Sequence, residues 1–85
     1  TVLARGGLEA ATRELAAVTA LAASDCRRQL LSHARGAVRC GADEGRVRAA
    51  LRLAALFRAP RDLAEMTAQV ERALRAVRDA DTPRS

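Results

Sequence analysis

Apolar residues recur along the chain at intervals of three and four, the spacing that lines side chains along one face of an α-helix. The breakers between these runs divide the chain into four helical segments. The first runs from about Leu8 to Ser24, with Leu8, Ala11, Leu15, Val18 and Ala22 in one stripe, Leu21 on its flank and Glu14 on its edge. The second runs from about Cys26 to Cys40, where Gly41 offers the backbone conformation a helix end needs. Its inward stripe is expected at Cys26, Leu30, His33, Ala37 and Cys40, with Gln29 beside them. Gly36 inside this helix costs up to about 1 kcal/mol relative to alanine, which points to a backbone or ligand coming close there. Asp43 caps a third helix whose stripe Val47, Leu51, Ala54 and Phe57 faces a core, with Arg48 and Arg52 on the polar side. Pro60 suits the first turn of a fourth helix reaching about Asp79, with Leu63, Met66, Val70, Leu74 and Val77 as its seam. Glu71 and Arg75 stand one turn apart on it as a supporting ion pair. The head, Thr1 to Gly7, is unassigned, and Ala80 to Ser85 read as a polar tail.

Composition agrees with a single all-α domain over the 85 residues. The apolar fraction of 49% comes mainly from Ala, Leu and Val, and aromatics supply only 1%. Such small side chains make a core by close approach of helices rather than by large aromatic plugs. A chain this short buries only about 60% of the surface its unfolded form exposes, which predicts a homo-oligomer. No run approaches about 18 uncharged apolar residues, and the N-terminal residues lack a secretory pattern. The expectation is therefore a cytoplasmic protein without membrane contact.

The formal charge is +5, and all 15 basic residues are arginine. Ala and Arg are abundant while Ile, Asn and Lys are absent, which is the signature of a GC-rich genome. Most of the basic excess is assigned to that bias, leaving nucleic acid as the weaker choice of partner.

The candidate chemistry gathers on the second helix. On one continuous helix Cys26 and Cys40 stand about 21 Å apart, far beyond the roughly 4.4 to 6.8 Å that a disulfide spans between α-carbons. Cys40 reads as a small core residue. Cys26 opens its helix, where unpaired amide groups, the helix dipole and the adjacent Arg27 and Arg28 favour a thiolate. Gln29 lies one turn before His33, and Cys26 lies about 10 Å before it along the axis, beyond direct contact. Glu14 is the one carboxylate near an inward face of the first helix and could meet His33 if the two helices pack antiparallel. Arg35, two positions after His33, is a candidate anion holder, although a step of about 200° around the axis equally suits a surface or inter-subunit place. One histidine and two distant cysteines make no zinc site, and neither a G-x-S-x-G turn nor a glycine-rich phosphate loop is present.

The run His33-Ala34-Arg35-Gly36-Ala37-Val38-Arg39-Cys40-Gly41-Ala42, followed by Leu53-Ala54-Ala55-Leu56-Phe57 and a turn containing Pro60, resembles the carboxymuconolactone decarboxylase family. The resemblance extends back to Arg13-Glu14-Leu15 and forward to about Ala73. It implies trimers or hexamers of all-α subunits, a small-molecule substrate and no cofactor. One branch of that family decarboxylates a carboxylated lactone, and its His-x-Arg-Gly-Ala segment is matched by His33, Arg35, Gly36 and Ala37. The alkyl hydroperoxidase D branch uses Cys-x-x-Cys-x-x-x-His as a dithiol peroxidase. There Cys26 matches the first cysteine, His33 the histidine and Glu14 the proton-relay glutamate, while Gln29 stands in place of the second cysteine.

Three functional expectations follow. The favoured one is acid–base, decarboxylase-type chemistry on a small carboxylated metabolite, with His33 as proton donor, Arg35 as carboxylate anchor and Gln29 beside the substrate. The second is a thiol peroxidase that uses Cys26. The third is a non-enzymatic helical module or a basic nucleic-acid binder.

Overall fold

The computed structural model describes residues 8–81. The head from Thr1 to Gly7, the last four residues of the expected tail and the side chains of Leu8 and Asp81 lie outside the described residues. The order is α1 (Leu8–Ala23), α2 (Arg27–Arg39), α3 (Glu44–Leu53), a short 3-10 turn (Ala54–Leu56) and α4 (Pro60–Asp81). Among the described residues there is no strand, and the fold is all-α.

The helix ends are set by local chemistry. α1 closes at Asp25, whose φ of 57° turns the chain left-handed. The Cys26 N–H then donates back to the Leu21 carbonyl at 2.9 Å, satisfying a terminal acceptor of α1. α2 closes in the same way, with Gly41 at φ 110° and the Ala42 N–H on the Ala37 carbonyl at 2.9 Å. Asp43 caps α3 as its spacing predicts, its Oδ1 accepting from the Arg46 amide at 2.8 Å. Pro60 takes the first position of α4, where its missing N–H costs nothing.

The core is built from Val18 and Ala22 of α1, Leu30, Ala34 and Ala37 of α2, Val47 and Leu51 of α3, Ala54 of the turn, and Met66, Val70 and Leu74 of α4. Alanines at four of these places let backbones approach closely, and α1 packs most extensively on α2. Thr19 fastens α1 to α3 by donating its hydroxyl to the Ala50 carbonyl at 2.9 Å.

Two expected stripes are corrected. On α2 the buried row is Leu30, Ala34 and Ala37, whereas Cys26 is exposed and His33 only half-buried. Ala34 stands four after Leu30 and three before Ala37, so the row turns by one position and carries the histidine to its edge. Phe57 does not face the core either and is 66% exposed. The chain leaves helical geometry at Phe57, where φ is −125°, and this carries the ring outward. Glu71 approaches Arg48 of α3 at 3.8 Å, an ion pair between α3 and α4 that the expected partner Arg75 does not form.

Candidate functional site

Glu14 sits in the middle of α1 and His33 in the middle of α2. Three residues, 24–26, join the two helices, so they run antiparallel and mid-helix positions come opposite one another. His33 Nδ1 and Glu14 Oε2 are 2.9 Å apart. The side chains remain 40% and 30% exposed, so the pair stands at the rim of the interface, open to solvent and to a small molecule.

This geometry assigns roles to the ring nitrogens. A carboxylate only accepts, so Nδ1 carries a proton and donates it to Glu14. In the neutral ring Nε2 then keeps its lone pair and can take a proton. In the charged ring Nε2 carries a proton to give.

Cys26 occupies the N-cap of α2 without capping it, and its thiol lies 3.8 Å from the Ser24 carbonyl. It is exposed, and no hydrogen bond joins it to the Glu14–His33 pair. Of the two arginines expected to favour a thiolate, Arg27 is drawn elsewhere. Arg27 donates from Nε to Asp25 Oδ1 at 2.7 Å and from Nη1 to Glu65 Oε1 at 3.0 Å. The hydrogen bond from Arg27, reinforced by the charges of Arg27 and Arg58, holds the Asp25 carboxyl below its ordinary range. Reciprocally, the hydrogen bonds to Asp25 and Glu65 push the Arg27 guanidinium up.

The remaining candidates stand apart from the pair. Gln29 is exposed one turn before His33 and makes no hydrogen bond to it. Arg35 is half-buried on α2 and forms no ion pair among the described residues. Cys40 is a free thiol packed against the core. Among the described residues no three His, Cys, Asp or Glu side chains gather as a metal site.

Sequence reasoning missed the Asp25 and Glu65 partners of Arg27. Asp25 was open to view as an acid next to Cys26, but Glu65 is 38 residues from Arg27 and only packing of α4 beside the first helix link brings them together. The sequence also did not show an apolar groove of about 470 Å³ between α1 and α3, lined by Leu15, Ala16, Thr19, Ala49 and Leu53 among others. Neither Glu14 nor His33 lines it.

The described residues thus form an all-α domain in which a glutamate and a histidine are paired between the first two helices. Residues 1–81 match the carboxymuconolactone decarboxylase family, and the chain belongs to it. No curated protein and no solved structure shows significant similarity to the chain.

Proposed function

We propose that this chain is an enzyme that moves protons on a small carboxylated metabolite, with His33 as the proton-transferring group and Glu14 as the residue that orients it. The observation that carries this reading is the 2.9 Å contact between His33 Nδ1 and Glu14 Oε2 at a half-open position. In a decarboxylation the bond to the carboxylate carbon breaks, carbon dioxide leaves, and the electron pair passes into a conjugated carbonyl. The protonated Nε2 of His33 gives its proton to the resulting carbanionic carbon, and the ring regains one from solvent. Arg35, on the same helix, is assigned to the carboxylate of the substrate, where a guanidinium offers paired donors. Gln29 stands beside the substrate as a neutral hydrogen-bonding group. Release of carbon dioxide from a carboxylated lactone is the assay. His33→Ala should lower turnover by about a hundredfold or more, and unchanged turnover overturns the reading.

A second reading is favoured by the exposure of Cys26 at a helix start. In it the thiolate attacks an organic hydroperoxide, the O–O bond breaks, an alcohol leaves, and the sulfenic acid formed is reduced by an external thiol. Two carboxylates on Arg27 and an amide at position 29 weigh against it. Intact mass after one equivalent of hydroperoxide, with a sulfenic-acid trap present, decides. Rapid oxidation lost in Cys26→Ala puts the peroxidase first, whereas a thiol that stays reduced removes it. Absence of both activities leaves a non-enzymatic helical module.

We also infer self-association, as a trimer or hexamer of the kind the family resemblance implies. Leu53, Leu56 and Phe57 are 59%, 81% and 66% exposed, a cluster of apolar surface at the end of α3 that a second copy of the chain would cover. Light scattering on the wild type and on Leu56→Ser with Phe57→Ser tests this. A wild type that is monomeric, or an assembly indifferent to both changes, overturns it.

A further inference from the structure

Gly36 has no backbone reason to be glycine. It lies within α2, and the positive-φ glycine among the described residues is Gly41. Alanine would make the better helix there. The reason lies in space rather than in conformation. A Cβ built on Gly36 would stand 2.7 Å from Glu14 Oε2 and 3.2 Å from its Cδ. The oxygen it would strike is the one that receives the His33 Nδ1 proton at 2.9 Å.

We propose that Gly36 is a positioning residue, its missing side chain being the seat of the Glu14 carboxylate that holds His33 with the proton on Nδ1 and Nε2 open for proton transfer. His33 and Gly36 are three positions apart, so they present neighbouring patches of one helix face to α1. The carboxylate lies over both, accepting from the first and filling the space left by the second. The part of this inference that concerns turnover rests on the acid–base reading above. The part that concerns geometry does not.

Alanine at this position sets two effects against each other. The obstructed atom is the far end of a flexible side chain, so Glu14 can swing aside without unfolding α1. Helix α2 gains propensity, while His33 loses its partner. A glycine needed only for close helix packing would behave differently, because alanine would then destabilise the domain and leave the histidine bond in place.

The test is nitrogen-15 NMR of protein labelled at histidine, which reports on His33 alone because the chain has one histidine. In the neutral form of the wild type the Nδ1 resonance should sit in the protonated, pyrrole-type range. In Gly36→Ala it should move toward the unprotonated, pyridine-type range, matching Glu14→Ala, with no loss of melting temperature. An unchanged Nδ1 resonance in a folded Gly36→Ala overturns the proposal. The double variant Gly36→Ala with Glu14→Ala covers the case in which the single variant fails to fold. With the carboxylate gone, alanine at 36 should raise the melting temperature above that of Glu14→Ala, and a lower one overturns the proposal. Turnover separates the two layers. A tautomer shift with unchanged turnover sinks the acid–base reading and leaves Gly36 as the seat of Glu14.

Discussion

Glu14 and His33 meet across the α1–α2 interface with Oε2 2.9 Å from Nδ1, although 19 residues separate them in the chain. The contact joins the two helices that pack most extensively on each other, yet both side chains keep part of their surface in water. Partial exposure limits what the pair adds to stability and leaves it accessible for chemistry.

Replacing the pair should therefore separate stability from function. Pairs this exposed contribute about 1 kcal/mol or less, so Glu14→Gln and His33→Ala should unfold within a few degrees of the wild type. Turnover of a carboxylated substrate should fall by about a hundredfold in His33→Ala and by less in Glu14→Gln, which keeps an acceptor oxygen. Calorimetry and steady-state kinetics on the same samples check both statements.

Asp25 gives the fold an acid-sensitive joint. Its carboxyl is held below its ordinary value, first by the hydrogen bond from Arg27 and then by the charges of Arg27 and Arg58. A group depressed in the folded state contributes stability above its unfolded pKa and loses it as pH falls through the lowered folded value. Melting temperature followed from about pH 5 to pH 2 should thus fall more steeply for the wild type than for Asp25→Asn, which retains a side chain tolerant of the left-handed backbone. Equal slopes would remove Asp25 from the acid response.

Cys26 caps α2 without a side-chain hydrogen bond, and its own surface is exposed. Serine is a far better N-cap, so Cys26→Ser should be neutral or stabilising by up to about 1 kcal/mol. Denaturant midpoints compare the two. A clear loss would mean that the thiol makes packing contacts its exposure does not show.

Large apolar residues should divide sharply by burial. Leu30 is fully buried between helices, and Leu30→Ala should cost about 2 to 5 kcal/mol, enough to leave a domain this small largely unfolded. Leu56 is 81% exposed, and Leu56→Ala should change the unfolding free energy of the monomeric chain by about 0.5 kcal/mol or less. Chemical unfolding followed by circular dichroism distinguishes them.

Helix positions and ends were legible in the sequence because their causes are local. Asp43 bonds an amide three residues on, Gly41 supplies a backbone angle, and Pro60 removes a donor that a first helical turn does not use. In the seam expected for α4, Met66, Val70, Leu74 and Val77 are buried as the spacing predicts, and Leu63 is half-buried against the core. Spacing determines a face only to within about one residue, since rows at three and four overlap. Both His33 and Ala34 satisfied the rule on α2, and packing against α1 chose the smaller one for the core. The same packing sets how far α1 slides along α2, and so decides that Glu14 stops at His33 and over Gly36. It also brings Glu65 to Arg27 across 38 residues, turning a cation expected to serve Cys26 into part of an ion cluster. The sequence determined the helices and named the residues able to do chemistry. Only the tertiary structure decided which of them touch, because the register between two helices is a property of their whole interface and not of any residue in it.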